Sequence, residues 1–295
     1  MRVLLIPDCW GWAYDFYARG VKAYSEHDVT ICPGYPKEGL TLDLIDDHDV
    51  VFCFSRTIWN AFKPEIREAV GDKPNAMWCC GLSFTNPPPE VDVYAVCTTR
   101  LMRKAVELGI DSPILLREGV DTDIFTPATK TTSDRLRVGW AGNPNMKLKR
   151  FYLLQKLKYP VKVMTDHDKK YRVKSRTRKP MVDFYSGLDV YITVTKEAGG
   201  HGVGRTVLEA MAMGIPVIAT DVHSRREVVQ SEWLVPDMPD NAVISGINRR
   251  LTMLDEDRCL LKKVGYQNRS IILEEYSWKT RIDDWDQLFK EVYEK

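Results

Sequence analysis

The sequence predicts an α/β protein made of two doubly wound, Rossmann-like parallel-sheet domains that face a cleft. Three observations support this fold class. Short apolar runs alternate with helical stretches as far as Leu116, a second alternation begins at Leu136, and a glycine-rich turn near Gly200 leads into a helix. Alternation of this kind is typical of parallel sheets covered on both faces. A chain of 295 residues is long enough for two such domains.

The first alternation defines an N-terminal domain, expected over residues 1–127. Its apolar runs have the length and composition of buried strands. They are Val3–Pro7, Val29–Cys32, Val50–Phe54, Ala76–Cys79, Val93–Cys97 and Ile114–Leu116. Helical spacing of apolar residues predicts Ala13–Tyr24, Ile58–Val70 and Leu101–Leu108 as helices. The turn Glu118–Pro127 and the polar stretch Ala128–Arg135, the best linker candidate, follow.

The second alternation defines a C-terminal domain, expected over residues 128–275. The predicted strands are Leu136–Ala141, Val161–Thr165, Val190–Val194 and Ile215–Ala219, and the predicted helices before the glycine-rich turn are Leu148–Leu157 and Met181–Gly187. The chain ends in an amphipathic helix, Tyr276–Glu294. We expect this last segment, residues 276–295, to pack back toward the N-terminal domain.

The bulk composition argues against several classes of protein. A formal net charge of +1 gives no overall attraction to nucleic acid or to anionic membranes. The chain begins with the strand-like run Arg2–Ile6 instead of a signal peptide, and no apolar run reaches the roughly 18 residues of a membrane span. The seven cysteines lack metal-binding spacing and are expected to be free, mostly buried thiols. We therefore expect a cytoplasmic protein.

The most informative segment runs from Gly199 to Asp221. Its turn contains three glycines at alternate positions, Gly200, Gly202 and Gly204. These let the backbone approach a ligand closely, and the helix predicted at Val203–Met213 begins within this turn. A helix N-terminus behind such a turn binds phosphate through its free N–H groups and partial positive charge. Glu209 lies inside the helix and can accept hydrogen bonds from hydroxyls of the group that carries the phosphate. The segment therefore predicts a nucleotide-sugar site.

Five segments occur in an order that is informative as a set. They are Gly119–Pro127, Val138–Gly142 with Lys149 after it, Asp183–Tyr191, His201–Ile218 and Tyr276–Trp278. Together they resemble motifs of the retaining glycosyltransferases of the GT-B fold, in the glycosyl transferases group 1 family. The resemblance covers Glu118–Trp285 and reaches the preceding residues only through the fold pattern.

The resemblance implies that the first domain binds an acceptor and the second a nucleoside-diphosphate sugar, with a UDP-sugar expected and no cofactor or metal. Glu209 would hold the ribose, the loop amides the pyrophosphate, and Lys149 would neutralise phosphate charge. Family members carry an arginine on the preceding strand, where this chain has Trp140 and Ala141. Lys147, Arg150 or Arg205 are the candidates to replace it. The complete predicted donor set is Gly142, Lys147, Lys149, Gly202, Val203, Gly204, Arg205, Thr206 and Glu209.

The chain departs from the family pattern at the sugar-contacting position. His201 stands where the family has its first glutamate, eight residues before the second one. A neutral histidine ring can also accept hydrogen bonds from sugar hydroxyls, and Glu197 on the same loop is an alternative. The first domain also lacks the family's histidine, because Met77–Leu82 contains none. The candidate catalytic residues are therefore His201, Glu197 and Asp8.

The loop after the first strand is the candidate acceptor surface. Trp10, Gly11 and Trp12 follow Asp8 there. The tryptophans could stack on a sugar or a base, and the Asp8 carboxylate could bind an acceptor hydroxyl. Aromatic packing beneath a helix is an equally open interpretation.

Two further patterns leave alternatives open. Residues 147–179 are strongly basic, which suits DNA, an anionic glycan or simply a solvated positive face. Three Asp-x-Asp strings could suggest a metal, but Asp121–Asp123 lies in a turn, where aspartate is favoured for its geometry. We therefore expect no metal site.

The sequence as a whole predicts a retaining, metal-independent glycosyltransferase that moves a sugar from a nucleoside-diphosphate sugar to a hydroxyl. One alternative for the acceptor is a hydroxymethylated DNA base, as in phage-encoded DNA glucosylation. A different enzyme class with the same fold is the nucleotide-sugar 2-epimerase, for which no acid/base set is evident. A third is an inactive nucleotide-sugar or glycan binding protein of the same fold. Donor base, sugar, acceptor and oligomeric state stay open.

Overall fold

The computed structural model describes residues 1–34, 39–81, 90–129, 133–165, 177–197 and 202–295. This part of the chain divides into two compact units. The first comprises Met1–Gly119, Gly202 and Tyr276–Lys295, and the second comprises residues 120–197 and Val203–Glu275. The boundary expected after residue 127 thus falls inside the second unit.

The first unit contains a six-stranded parallel sheet. Its strands are β1 (Arg2–Ile6), β2 (Asp28–Ile31), β3 (Val50–Cys53), β4 (Asn75–Cys79), β5 (Val93–Val96) and β6 (Ile114–Leu115). They lie side by side in the order β2-β1-β3-β4-β5-β6. Its helices are α1 (Ala13–Tyr24), α2 (Leu42–Asp46), α3 (Arg56–Ala61), α4 (Pro64–Gly71) and α5 (Thr99–Glu107). Every residue of β3, β4 and β5 is buried, as expected for a sheet covered on both faces.

The second unit contains a five-stranded parallel sheet. Its strands are β7 (Val138–Ala141), β8 (Val161–Met164), β9 (Val190–Thr193), β10 (Val217–Thr220) and β11 (Leu234–Val235), in the order β11-β10-β9-β7-β8. Its helices are α6 (Lys179–Ser186), α7 (Arg205–Ala212), α8 (Asp240–Glu256) and α9 (Arg258–Glu275). The predicted fold class, two parallel-sheet α/β units, is therefore confirmed.

The final helix, α10 (Trp278–Tyr293), belongs to the first unit. Its buried Trp285 joins an aromatic cluster, with ring centroids 5.2 Å from Trp78 and 5.4 Å from Phe52. The Trp285 Nε1 donates a hydrogen bond to the Arg117 carbonyl oxygen at 3.0 Å. Large aromatic surfaces packed in this way contribute much of the burial energy of a core.

Two glycines make room for Trp278 at the start of α10. A Cβ atom added at Gly20 would lie 2.0 Å from Trp278 Nε1, and one at Gly119 would lie 2.3 Å from Trp278 Cδ2. The indole therefore occupies space that any other residue at these two positions would fill.

Two predicted helices are wrong in detail. The helix expected at Ile58–Val70 is two helices, α3 and α4, because Pro64 forces the preceding Lys63 into an extended conformation. The helix expected at Leu148–Leu157 is a pair of 3₁₀ turns, Lys147–Lys149 and Phe151–Lys156, separated by Arg150 with a left-handed φ of 43°.

Buried hydrogen bonds of Arg150 explain the break between these turns. Its guanidinium donates to the Val194 carbonyl oxygen at 2.7 Å and to Asp237 Oδ1 at 2.6 Å. These contacts give Arg150, which is 2% exposed, a structural role. The expectation that Arg150 could replace the family's arginine as a phosphate ligand is therefore corrected.

Among the described helices, none is both long and apolar enough to cross a membrane.

Gly20→Ala should destabilise the protein even though alanine favours helices over glycine. The added methyl group would overlap the buried Trp278, and overpacking of this kind costs about 1–3 kcal/mol. Urea-induced unfolding measures the change. Gly71→Ala in α4 is the matched control, because nothing lies within 4 Å of its added Cβ. Equal stabilities of the two variants would contradict the packing of Trp278.

Candidate functional site

Three neighbouring strands of the second unit end at one edge of the sheet. The strands are β10, β9 and β7, in that order. A 3₁₀ turn that includes Arg225 follows β10, helix α7 is the first described helix after β9, and the 3₁₀ turn ending at Lys149 follows β7. Ligands of parallel α/β sheets bind at this carboxyl edge. The topology therefore places a candidate ligand site at this edge of the sheet.

Gly204 immediately precedes α7 and has a φ of 96°, which favours glycine. A Cβ atom added here would lie 3.0 Å from both terminal nitrogens of Arg225. The Arg225 guanidinium is thus packed against the turn at the helix N-terminus, and the side chain is only 4% exposed.

Lys149 is a second cation of this cluster. Burial and the charge of Arg225 together lower the pKa of Lys149 to about 8. Within the described ranges, Lys149 forms no ion pair with a carboxylate. Two cations held close together beside a helix N-terminus form a site of concentrated positive potential, which favours a multiply charged anion.

Glu209, predicted to hold a ribose, is 1% exposed. Its Oε1 is ion-paired with Arg178 and lies 3.3 Å from Arg205 Nε. The hydroxyl of Tyr185 lies 3.1 Å from the Glu209 Oε2 and 3.0 Å from the Thr206 carbonyl oxygen. The carboxylate is thereby held in one orientation on α7.

The other predicted donor residues have diverse surroundings. Lys147 is exposed at the start of its turn, and Val203 is buried. Gly142 follows β7, where an added Cβ would lie 3.1 Å from the Trp140 ring. Gly202 belongs to the first unit, where its N–H donates to the Cys80 carbonyl oxygen at 3.0 Å.

Of the three candidate catalytic residues, His201 lies outside the described residues. Glu197 accepts hydrogen bonds through Oε2 from the His223 backbone N–H at 2.7 Å, and that oxygen lies 3.1 Å from His223 Nδ1. Asp8 is partly buried in the first unit, after β1.

The predicted acceptor loop carries two exposed aromatic rings. Trp10 is 42% exposed and Trp12 is 60% exposed, so neither is packed under α1. Gly11, with a φ of 83°, donates its N–H to Asp15 Oδ2 at 2.8 Å. The Arg19 guanidinium lies 5.4 Å from the centre of the Trp10 ring, which helps to hold that ring in place.

Two site residues were missed from the sequence, namely Arg225 and Arg178. Arg225 has an adjacent arginine, Arg226, which is exposed and paired with Asp221 at 2.6 Å. Nothing in the sequence tells which of two consecutive arginines is buried. Arg178 was counted in the basic segment 147–179, but its pairing with Glu209 depends on tertiary structure.

The basic segment is described only in part, because residues 166–176 lie outside the described residues. Its proposed contact with DNA or an anionic glycan stays a prediction. In the Asp121–Asp123 string, Asp121 Oδ1 accepts hydrogen bonds from the backbone N–H groups of Asp123 and Ile124, each at 3.0 Å. These contacts fit the turn interpretation.

Comparisons with known proteins agree with this fold. Residues 123–252 match the family described as Glycosyl transferases group 1. A glycosyltransferase from Rickettsia africae is similar in structure, with a TM-score of 0.71, 14% identity, and coverage of 99% of this chain and 98% of that one. No curated protein matches the sequence.

Two further solved structures resemble the whole chain. Anabaena Alr3699/HepE in complex with UDP-glucose has a TM-score of 0.72 at 11% identity, covering 99% of this chain and 100% of that one. The lipopolysaccharide outer core galactosyltransferase WaaB has a TM-score of 0.61 at 12% identity, with the same two coverages.

The fold and the family match together define a glycosyltransferase with the GT-B fold. The residues that match the family model, 123–252, lie within the second unit, where Lys149, Arg225 and Glu209 are found.

Lys149→Met should stabilise the unliganded protein at neutral pH, by roughly 1–3 kcal/mol, because it removes a charge whose folded-state pKa is lowered. The protonated Lys149 amine destabilises the folded protein fully below its folded pKa of about 8. This destabilisation disappears as the pH approaches the unfolded pKa of about 10.4. The stability advantage of the variant should therefore shrink as the pH rises through this window. Urea unfolding at several pH values measures it, with exposed Lys156→Met as control; a destabilised Lys149→Met at neutral pH would contradict this assignment.

Proposed function

We propose that this chain is a retaining, metal-independent glycosyltransferase that uses a UDP-sugar and binds its diphosphate in the second unit. The observation that carries the proposal is the pairing of Lys149 with Arg225 beside the N-terminus of α7. Two like charges are costly to hold together in a buried place. A bound diphosphate removes that cost.

The cluster can stabilise the leaving group without a divalent cation. Departure of the nucleoside diphosphate leaves negative charge on its phosphate oxygens, and fixed positive groups that face this charge lower the barrier. Lys149, Arg225 and the partial positive charge at the N-terminus of α7 supply such groups. In this proposal Arg225 takes the place of the arginine that the family carries on the preceding strand.

Glu209 is proposed to bind the ribose of the donor. Two arginines and Tyr185 already hold the carboxylate in place. An ionised carboxylate offers about four lone-pair directions, so it can accept from a ribose hydroxyl once Arg178 shifts or shares its oxygen. Arg205, which is part of α7 itself, keeps Glu209 oriented during that exchange.

Transfer with retention follows a front-face path in this proposal. The bond between the anomeric carbon and the phosphate oxygen breaks, and the bond from the acceptor hydroxyl oxygen forms on the same face. The acceptor proton passes to the departing phosphate oxygen, so no carboxylate nucleophile is required. The proposed UDP-sugar agrees with the Anabaena structure, which is a complex with UDP-glucose.

The first unit is proposed to bind the acceptor through Trp10 and Trp12. Exposed tryptophan rings stack well on sugar faces, and the Arg19 side chain limits the motion of Trp10. We also propose that the reaction takes place in the cytoplasm. The seven cysteines are free thiols, and the cytoplasm is a reducing compartment that keeps them so.

Arg225→Ala should weaken UDP binding by about 10- to 100-fold, because it removes a charged hydrogen-bonding partner worth roughly 1.5–3 kcal/mol. Titration calorimetry with UDP, GDP and ADP measures the affinity and identifies the base. The control is Arg226→Ala, which removes the neighbouring exposed arginine and should change the affinity by less than about twofold. Glu209→Ala should also lose UDP affinity.

Turnover of the donor separates an enzyme from a binding protein. Wild-type protein should release UDP from a UDP-sugar, and proton NMR of the product should show the anomeric configuration of the donor. Chelation of divalent cations should leave the rate unchanged. Equal UDP affinity in Arg225→Ala and Arg226→Ala would refute the site, and an inverted product would refute retention.

UDP affinity should fall as the pH rises above about 8, where unliganded Lys149 loses its proton. A bound diphosphate favours the charged amine and raises its pKa, so binding takes up a proton in this range and weakens by up to about tenfold per pH unit. In Lys149→Arg the guanidinium stays charged, and this dependence should disappear. Calorimetry between about pH 7 and about pH 9 compares the two slopes; identical slopes would show that Lys149 does not contact the diphosphate.

A further inference from the structure

A cluster of metal-ligating side chains occurs in the first unit. It consists of Cys80, Cys97 and Glu118, and it plays no part in the proposed transfer reaction. Cys80 directly follows β4, Cys97 directly follows β5, and Glu118 lies shortly after β6. Because these three strands are neighbours in a parallel sheet, their carboxyl ends bring the three residues to one place.

The register of the sheet accounts for the pairing of the two thiols. Cys79 of β4 is paired with Val96 of β5, so Cys80 and Cys97 are the next residues in line. One potential ligand atom from each of Cys80, Cys97 and Glu118 lies within 4.8 Å of the other two. Cys97 and Glu118 are each only 1% exposed.

From this arrangement we propose that Cys80, Cys97 and Glu118 form a binding site for a thiophilic divalent cation such as Zn²⁺. Thiolate sulfur and carboxylate oxygen are both zinc ligands, with bond lengths of about 2.3 Å and about 2.0–2.2 Å. Ligand atoms of a tetrahedral site with such bonds lie closer together than 4.8 Å, so only small side-chain adjustments are needed. Two sulfur ligands disfavour Mg²⁺ and Ca²⁺, which take oxygen.

Binding in this site balances charge and protons. The cation replaces the two thiol protons, which leave to solvent, and the two thiolates together with the ionised Glu118 surround it. Three protein ligands leave a fourth tetrahedral position for water. The cation would cross-link three segments that follow neighbouring strands of the first unit.

Gly202 closes over the same cluster. A Cβ atom added at Gly202 would lie 2.5 Å from Glu118 Oε2 and 3.1 Å from Cys97 Sγ. Its N–H is fixed by the Cys80 carbonyl oxygen at 3.0 Å. The bound cation would thus restrain the backbone at Gly202, whether or not the donor-site proposal is correct.

Titration of the reduced, metal-free full-length protein with Cd²⁺ tests the proposal. One equivalent should bind and produce the ultraviolet charge-transfer band of cadmium–thiolate bonds, and Zn²⁺ should compete for the same site. Cys97→Ser leaves one thiolate, so it should give at most about half of the band and lose at least about 100-fold in affinity. Glu118→Gln keeps both thiolates, so it should keep the full band and bind about 10- to 100-fold more weakly. Cys53→Ala, which removes a buried thiol outside the cluster, is the matched control and should bind as the wild type does.

A second measurement needs no variant and covers the case in which a substitution prevents folding. Zn²⁺ should protect Cys80 and Cys97 of the wild-type protein from alkylation, as mapped by mass spectrometry, while the alkylation of exposed Cys259 stays unchanged. Absence of a cadmium–thiolate band in the wild type, or a full band in Cys97→Ser, would overturn the proposal. Equal alkylation of Cys80 and Cys97 with and without Zn²⁺ would do the same.

Discussion

The structure of the candidate site depends on two positive charges, those of Lys149 and Arg225, that lie close enough for one to affect the pKa of the other. Arg225 is buried and Lys149 is partly buried, and burial together with the charge of Arg225 lowers the pKa of the lysine to about 8. The arrangement costs stability in the unliganded protein, which is a cost typical of binding sites and rare in structural cores. Its natural relief is a polyanion, and the adjacent N-terminus of α7 favours the same kind of ligand.

The fold explains how residues far apart in the sequence form this cluster. Lys149 follows β7, α7 comes after β9, and Arg225 follows β10, and these three strands are neighbours. Buried contacts then set the details. Arg150 breaks the helical path with its bonds to Asp237, and the short turn that precedes it ends at Lys149. The parallel strands thus place Lys149 and Arg225 at the same edge of the sheet.

Local sequence patterns predicted the sheets well because apolar runs and helical periods are local signals. Ala13–Tyr24 was predicted as a helix with the bounds that the structure has. The failures had nonlocal causes, as at Leu148–Leu157, where the distant Asp237 holds Arg150 in a left-handed conformation. Within the site, the glycine turn and Glu209 were recognisable as a motif. Arg225 was not, because its burial against Gly204 depends on the packing of two separate segments.

The most direct test of the central claim is a crystal structure of the protein with bound UDP. The proposed donor site predicts that the diphosphate oxygens lie within hydrogen-bonding distance of the Lys149 amine, the Arg225 guanidinium and the N–H groups at the start of α7. It further predicts that a ribose hydroxyl contacts Glu209. A diphosphate bound elsewhere, with Lys149 and Arg225 untouched, would contradict it.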